Sequence, residues 1–138
     1  MSTSDVSARP GLTLGDVMSR SVSTAPHTAT VAEAARVMRA AGVGSVVVTR
    51  AHAIAGIFTE RDLVAAAAAG VDASRSLVRA WMTVDPLTMP STTPVDEALE
   101  VLRERRHRRL PVVDDGKLLG VVSLSDFIRT TAFPPTGA

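Results

Sequence analysis

Cysteine is absent from the 138 residues of the chain. That excludes disulfides, thiolate nucleophiles and thiolate metal sites, and removes the usual marker of a small secreted domain. Aromatic side chains make up only 3%, with one tryptophan, three phenylalanines and no tyrosine, so a nucleic-acid surface built on base stacking has little to work with. Neither sign of charge dominates. Fifteen Lys and Arg against fourteen Asp and Glu leave a formal net charge of +1, which creates no overall field to attract a polyanion or an acidic membrane. The longest apolar stretch is alanine-rich, lies between Asp62 and Asp72, and is too short to cross a bilayer. The first residues lack an apolar signal core. A soluble protein of the cytoplasm is expected, with no membrane partner. No nucleophile–base pair, Walker loop or dinucleotide fingerprint occurs. His27, His52 and His107 fall in separate loops or helix ends without ligand spacing, so neither catalysis nor a metal is expected.

What the chain does have is a duplication. Met18 returns as Met82, Gly56 as Gly120 and Asp62 as Asp126, each displaced by the same 64 positions (82 − 18, 120 − 56, 126 − 62). The stretches between them align without insertion. Two copies of this length predict a pseudo-symmetric pair, not a solenoid. With 46% hydrophobic residues, one compact unit of ordinary size is expected. Residues 1–11 read as a disordered lead, 12–70 as a first domain, 71–132 as a second that begins with a linker helix over 71–82, and 133–138 as a flexible tail.

Within the first copy a helical turn is expected at 14–18, an extended piece at 23–25, and a helix over 31–41 with Val31, Ala34, Ala35 and Met38 as its apolar stripe. Thr30 and Glu33 form a capping box at its start, and Gly42 ends it. Strands at 46–49 and 54–58 follow, joined by a tight turn, and then a helix from about Glu60 to Gly70. The second copy repeats the order, with an extended piece at 87–89, a helix over 95–106, strands at 110–113 and 118–122, and a helix from about Leu124. Its hairpin turn is Asp114-Asp-Gly-Lys117, where Asp and Gly tolerate the positive φ required. The fold class is α/β (α+β), a β-α-β-β-α unit written twice. The methionines Met18, Met38, Met82 and Met89 are expected to fill the core and the junction of the copies.

The sharpest recurring motif is Gly56-Ile-Phe-Thr59-Glu-Arg-Asp62, matched by Gly120-Val-Val-Ser123-Leu-Ser-Asp126. A strand ends on a hydroxyl residue, and an aspartate follows three positions later as a helix begins. Free helical N–H groups bind phosphate, and a carboxylate beside them can accept hydrogen bonds from a ribose diol. The same spacing is also a plain capping box. The glycine allows a ligand or a neighbouring strand to approach the backbone closely.

These motifs, with Asp16-Val-Met18, Thr30-Val-Ala-Glu-Ala34 and Arg108-Arg-Leu-Pro-Val-Val-Asp114, make residues 14–130 resemble the cystathionine-β-synthase (CBS) domain family. In particular they resemble a tandem pair, or Bateman module, in a stand-alone protein. The resemblance implies two β-α-β-β-α repeats packed pseudo-symmetrically through their sheets, with two related clefts for adenosine-type ligands such as AMP, ADP or ATP. It implies one ligand set of Thr59, Asp62, Thr88, Thr93, Arg108, Arg109 and Pro111, and a second of Thr24, Ala29, Ser45, Val46, Ser123 and Asp126. It further implies a non-enzymatic regulatory sensor, a homodimer formed through exposed helices such as the alanine-rich 63–69, and an effector protein that receives the signal. Gly44 and Ser45 stand at the positions of Arg108 and Arg109, so only the first set has a guanidinium pair suited to phosphate. The alternatives are an interaction module with closed clefts and a nucleic-acid binder using the Arg103–Arg109 cluster. Arg103 and Arg105 also read as cations at the negative pole of a helix.

Overall fold

The computed structural model describes residues 11–105 and 109–123. The expected helix from Leu124, the tail at 133–138, and the site candidates Arg108 and Asp126 lie outside them. The described chain forms two compact units. It is a mixed α+β protein, as its repeat predicts.

The first unit comprises residues 22–86. Its strands are β1 (Thr24–Pro26), β2 (Ser45–Arg50), β3 (Ala53–Thr59) and β4 (Thr83–Val84), with helices α2 (Val31–Ala41) and α3 (Glu60–Ala68). The label α1 belongs to Leu14–Val17, which packs elsewhere. The sheet runs β1-β2-β3-β4, with β1 parallel to β2 and the other pairs antiparallel. Helix α2 starts at the reciprocal Thr30–Glu33 box, with Glu33 N–H donating to Thr30 Oγ1 (3.1 Å) and Thr30 N–H to Glu33 Oε1 (3.0 Å). It stops at Gly42, whose φ of 68° is left-handed. Val31, Ala34 and Met38 are buried, whereas Ala35 is half-exposed. They meet Val46, Val48 and the fully buried Phe58. Burying such a ring contributes about 1.5 to 3 kcal/mol.

The second unit joins residues 11–21 to 87–105 and 109–123. It contains α1, helix α4 (Val95–Arg105) and the antiparallel strands β5 (Arg109–Asp114) and β6 (Lys117–Ser123). Its register repeats that of β2 and β3 position for position, including an irregularity after Val48 and again after Val112. The flanking pairings are weaker. β1 and β4 correspond here to single bridges, Met89 to Val112 and Ser19 to Val121. Part of the reason is Pro111. Its counterpart Val47 donates its N–H to Ser23 O (2.9 Å), and proline has no N–H to give.

The linear division at 70 and 71 therefore differs from the grouping by contacts. Residues 12–21 open the first repeat in sequence but pack with the second unit. Leu14 is fully buried among Val95, Ala98, Leu102, Leu110 and Val122. Reciprocally, the 3-10 turn Val78–Ala80 and β4 cover the first repeat, with Val78 fully buried in its core. No helix among the described residues is long and apolar enough to cross a membrane.

Candidate functional site

The antiparallel register of β2 and β3 sets Ser45 opposite Thr59, where β3 ends and α3 begins. Glu60 N–H donates to Gly44 O (3.0 Å), so the β2 entrance and the α3 N-terminus are stitched together. Thr59 is the N-cap residue of α3. Asp62 N–H donates to Thr59 Oγ1 (3.3 Å), while Thr59 N–H (2.9 Å) and Oγ1–H (3.1 Å) both donate to Asp62 Oδ2. The motif is thus a formed capping box. Both bonds to the carboxylate fall on one oxygen, and no hydrogen bond of Oδ1 occurs among the described residues. Thr59 and Asp62 are only half-buried. A hydroxyl, a carboxylate and the first turn of a helix therefore meet at the carboxyl end of a strand.

The other candidates of this unit are less polar in effect. Val46 is buried opposite Phe58, and Ala29 is buried with its carbonyl accepting Val78 N–H (2.9 Å). Both can offer a ligand only backbone or van der Waals contact. Thr24 begins β1, exposed and opposite Val47. The structure thus sets Ser45 opposite Thr59, and leaves Thr24 two strands from β3.

In the second unit Arg109 stands opposite Ser123, the place that Ser45 takes opposite Thr59. The guanidinium side chain thus replaces a hydroxyl at an equivalent point of the ladder, and Arg109 is half-buried. Pro111 is buried, with its carbonyl accepting Met89 N–H (3.3 Å). Thr93 is a buried polar residue whose carbonyl accepts Leu14 N–H (2.9 Å), so it seats α1. Thr88 is half-buried beside Met89. Arg103 and Arg105 are exposed in the last turn of α4, where cations favour the negative pole of the helix.

Sequence reasoning missed a polar junction of this unit. Ser91 donates through its N–H (2.8 Å) and Oγ (2.6 Å) to the Asp114 carboxylate. The side-chain bond first, and the backbone bond after it, hold Asp114 below the usual carboxylate range. The offset alignment places His27 and Arg50 at these positions, so the duplication gave no signal for it. Also unforeseen is a groove of about 530 Å³ in the first unit, lined by Met38, Arg39, Val43, Glu60, Leu63 and Val64 among others. Val43 and Val64 are exposed, Val64 to 66%. Among the described residues no group of His, Asp and Glu is arranged to hold a metal ion.

A strand that ends in a hydroxyl and runs into a helix-capping aspartate in the first unit, on a frame whose paired strands recur in the same register in the second, defines a tandem-repeat class of protein. The model of the CBS domain matches residues 14–69 and 78–132, and the chain belongs to the CBS domain family. An uncharacterized protein of Methanopyrus kandleri is 36% identical over 125 residues, 88% of this chain and 64% of that protein. The chain thus spans less than two thirds of that relative. A CBS-domain containing protein of Agrobacterium tumefaciens matches with a TM-score of 0.76 at 33% identity, covering 85% of this chain and 97% of that one. A CBS domain pair in complex with 5′-methylthioadenosine and S-adenosyl-L-methionine matches with a TM-score of 0.79 at 24% identity, covering 87% and 95%. At that identity the likeness concerns the fold alone.

Proposed function

We propose that the chain is a regulatory module that binds an adenosine-type ligand, AMP, ADP, ATP or a relative, and passes its occupancy to an effector protein without itself catalysing a reaction. The favoured ligand set is Thr59 and Asp62 with Thr88, Thr93, Arg108, Arg109 and Pro111. Thr24, Ala29, Ser45, Val46, Ser123 and Asp126 form a second, less cationic set. The observation that carries this reading is the Thr59–Asp62 pair: the carboxylate is oriented by Thr59 at a helix N-terminus and keeps Oδ1 for a ribose hydroxyl. Arg109, standing where the first repeat has Ser45, adds a planar donor for phosphate. That a protein of the same fold is in complex with adenosine-bearing molecules is compatible with this ligand class. A ligand alters an effector only through different affinities for two conformations, so the output depends on binding that distinguishes them.

Thermal unfolding of the full chain against AMP, ADP, ATP, S-adenosylmethionine, NAD and cyclic dinucleotides tests the reading. A ligand at about 100 times its Kd adds about 2.7 kcal/mol. A shift with at least one adenosine-bearing ligand is expected, weakened by Arg109→Ala for phosphorylated ligands. No shift with any of them overturns it and leaves an interaction module. If Asp126→Ala abolishes the shift and Asp62→Ala spares it, the order of the two sets is reversed.

The homodimer belongs to the same proposal. Its contact is placed on α3 and the groove beside it, where Val43 and Val64 are exposed next to a run of alanines. Small residues permit close helix approach, and Val64→Glu is expected to convert the dimer to monomer in sedimentation velocity.

A further inference from the structure

The second unit is assembled from two stretches of chain that the whole first unit separates. Residues 11–21 form an arm, and residues 22–86 intervene before the rest of the unit begins. The corresponding segment of the first unit, 77–84, lies within one continuous stretch. Only the arm is discontinuous.

The arm carries its own seat contacts. Thr13 and Asp16 close a capping box around α1, with Thr13 N–H donating to Asp16 Oδ2 (2.8 Å), so the four-residue helix organises locally. Leu14 plugs the core. Leu14 N–H donates to Thr93 O (2.9 Å), Gly15 N–H to Ser91 O (2.9 Å), and Val95 N–H to Leu12 O (3.1 Å). Ser19 and Val121 exchange a pair of backbone bonds, both 2.9 Å, at the edge of β6. Beyond Ser19 the ladder stops. Arg20 and Ser21 are exposed, and the next backbone anchor is Ser23 O, which accepts Val47 N–H in the first unit.

A plug joined to the rest of its unit only through another folded unit, across a short exposed connector, is the topology of an element that can be exchanged between identical copies. Every contact of the seat is made equally by an arm of the same sequence from another molecule. We propose that residues 11–21 are an exchangeable arm, and that its partner is a second copy of this chain whose own arm takes the same seat in return. The exchange is separate from the α3 face and does not rest on ligand binding.

The absence of native cysteine makes a disulfide trap clean. Thr13 and Pro94 are bridge partners flanked by the bonds Leu14 N–H to Thr93 O and Val95 N–H to Leu12 O, a non-hydrogen-bonded antiparallel pair of the spacing a disulfide accepts. Full-length Thr13→Cys and full-length Pro94→Cys carrying a size tag are mixed in denaturant, refolded together and oxidised mildly. An arm seated in the other molecule sets the unlike cysteines opposite one another, so the unlike bond forms in excess over either like bond, whereas random collision gives no such excess. A covalent heterodimer in that excess is expected, its share rising several-fold between dilute and concentrated refolding and unchanged when both chains carry Val64→Glu. Absence of the excess at every concentration overturns the proposal, provided that the double variant Thr13→Cys/Pro94→Cys closes its bond within one chain. If that double variant does not fold, Ser19→Cys and Val121→Cys replace the pair with the same two outcomes.

Discussion

Gly56 and Met82 are packed so closely that a Cβ built on the glycine would stand 2.6 Å from the methionine sulfur, and 2.6 Å from Thr83 O. The same contact recurs 64 residues on, where a Cβ on Gly120 would meet Ser19 O at 2.6 Å and Met18 Sδ at 2.8 Å. The repeated glycine is explained by a neighbouring chain segment pressed against the strand, β4 in one unit and the 18–19 segment in the other. A carbonyl oxygen at that distance cannot swing away as a side chain can. Gly56→Ala and Gly120→Ala are each expected to destabilise by about 1 to 3 kcal/mol, as overpacking does. Gly42→Ala has open space around it and bears only the cost of its φ of 68°, about 1 kcal/mol. Urea midpoints of the three variants rank them; equal losses would deny the close packing.

The two hairpins use one backbone shape with different chemistry. Asp115 and Gly116 have φ of 49° and 76°, and Ala51 and His52 have 50° and 70°. Both central residues of such a turn are left-handed, which suits Asn, Asp and Gly. Alanine with its Cβ is poorly matched there. The double change Ala51→Asn with His52→Gly is expected to stabilise by about 1 kcal/mol, or about 3 to 5 °C in Tm for a chain of this size. Gly116→Ala moves Tm in the opposite direction. A calorimetric scan of the two variants beside wild type measures both signs.

Local chemistry explains how much of this fold was legible. The Thr30–Glu33 box, Gly42 and the Asp115-Gly116 turn act within a few residues of themselves, so helix α2 and the second hairpin fall where the sequence places them. β4 was missed because two residues, Thr83 and Val84, carry no periodicity. They become a strand only because Gly56 lets them approach. The destination of residues 11–21 was equally hidden: Leu14 fits the second core, and nothing near it in sequence says so. At the site, the Thr59–Asp62 pairing was legible as a spacing. The opposition of Arg109 to Ser123 needed the register of β5 and β6, which a one-residue slip would have reversed.

Three carboxylates tie stability to acid pH. Backbone and side-chain bonds from Thr30 hold Glu33 below its usual value, the Ser74 hydroxyl and backbone do so for Asp72, and Ser91 does so for Asp114. For a depressed pKa the stabilisation is complete above the unfolded value, about 4 for these groups, and is lost as pH falls through the folded value. The urea midpoint is therefore expected to be flat above about pH 5 and to fall below about pH 4. Ser91→Ala removes both the leading contact of Asp114 and part of this slope. An acid limb as steep in Ser91→Ala and Asp114→Asn as in wild type would contradict the assignment.

Asp62 has a structural task and a proposed ligand task, and the two separate by substitution. As a cap, its Oδ2 accepts from Thr59 N–H and Oγ1–H, and loss of such a box costs about 1 kcal/mol. Asparagine keeps a carbonyl oxygen that can accept those bonds, so Asp62→Asn is expected to lose clearly less stability than Asp62→Ala. A ribose hydroxyl asks for more: with one oxygen held by Thr59, asparagine presents its NH₂ where Asp62 has Oδ1, a donor in place of the acceptor that the hydroxyl needs. Both variants are therefore expected to lose the thermal shift given by the adenosine-type ligand, with Asp62→Asn losing it while remaining nearly as stable as wild type. If Asp62→Asn keeps the full shift, the aspartate serves only the start of α3, and recognition of the ribose must be sought on other residues.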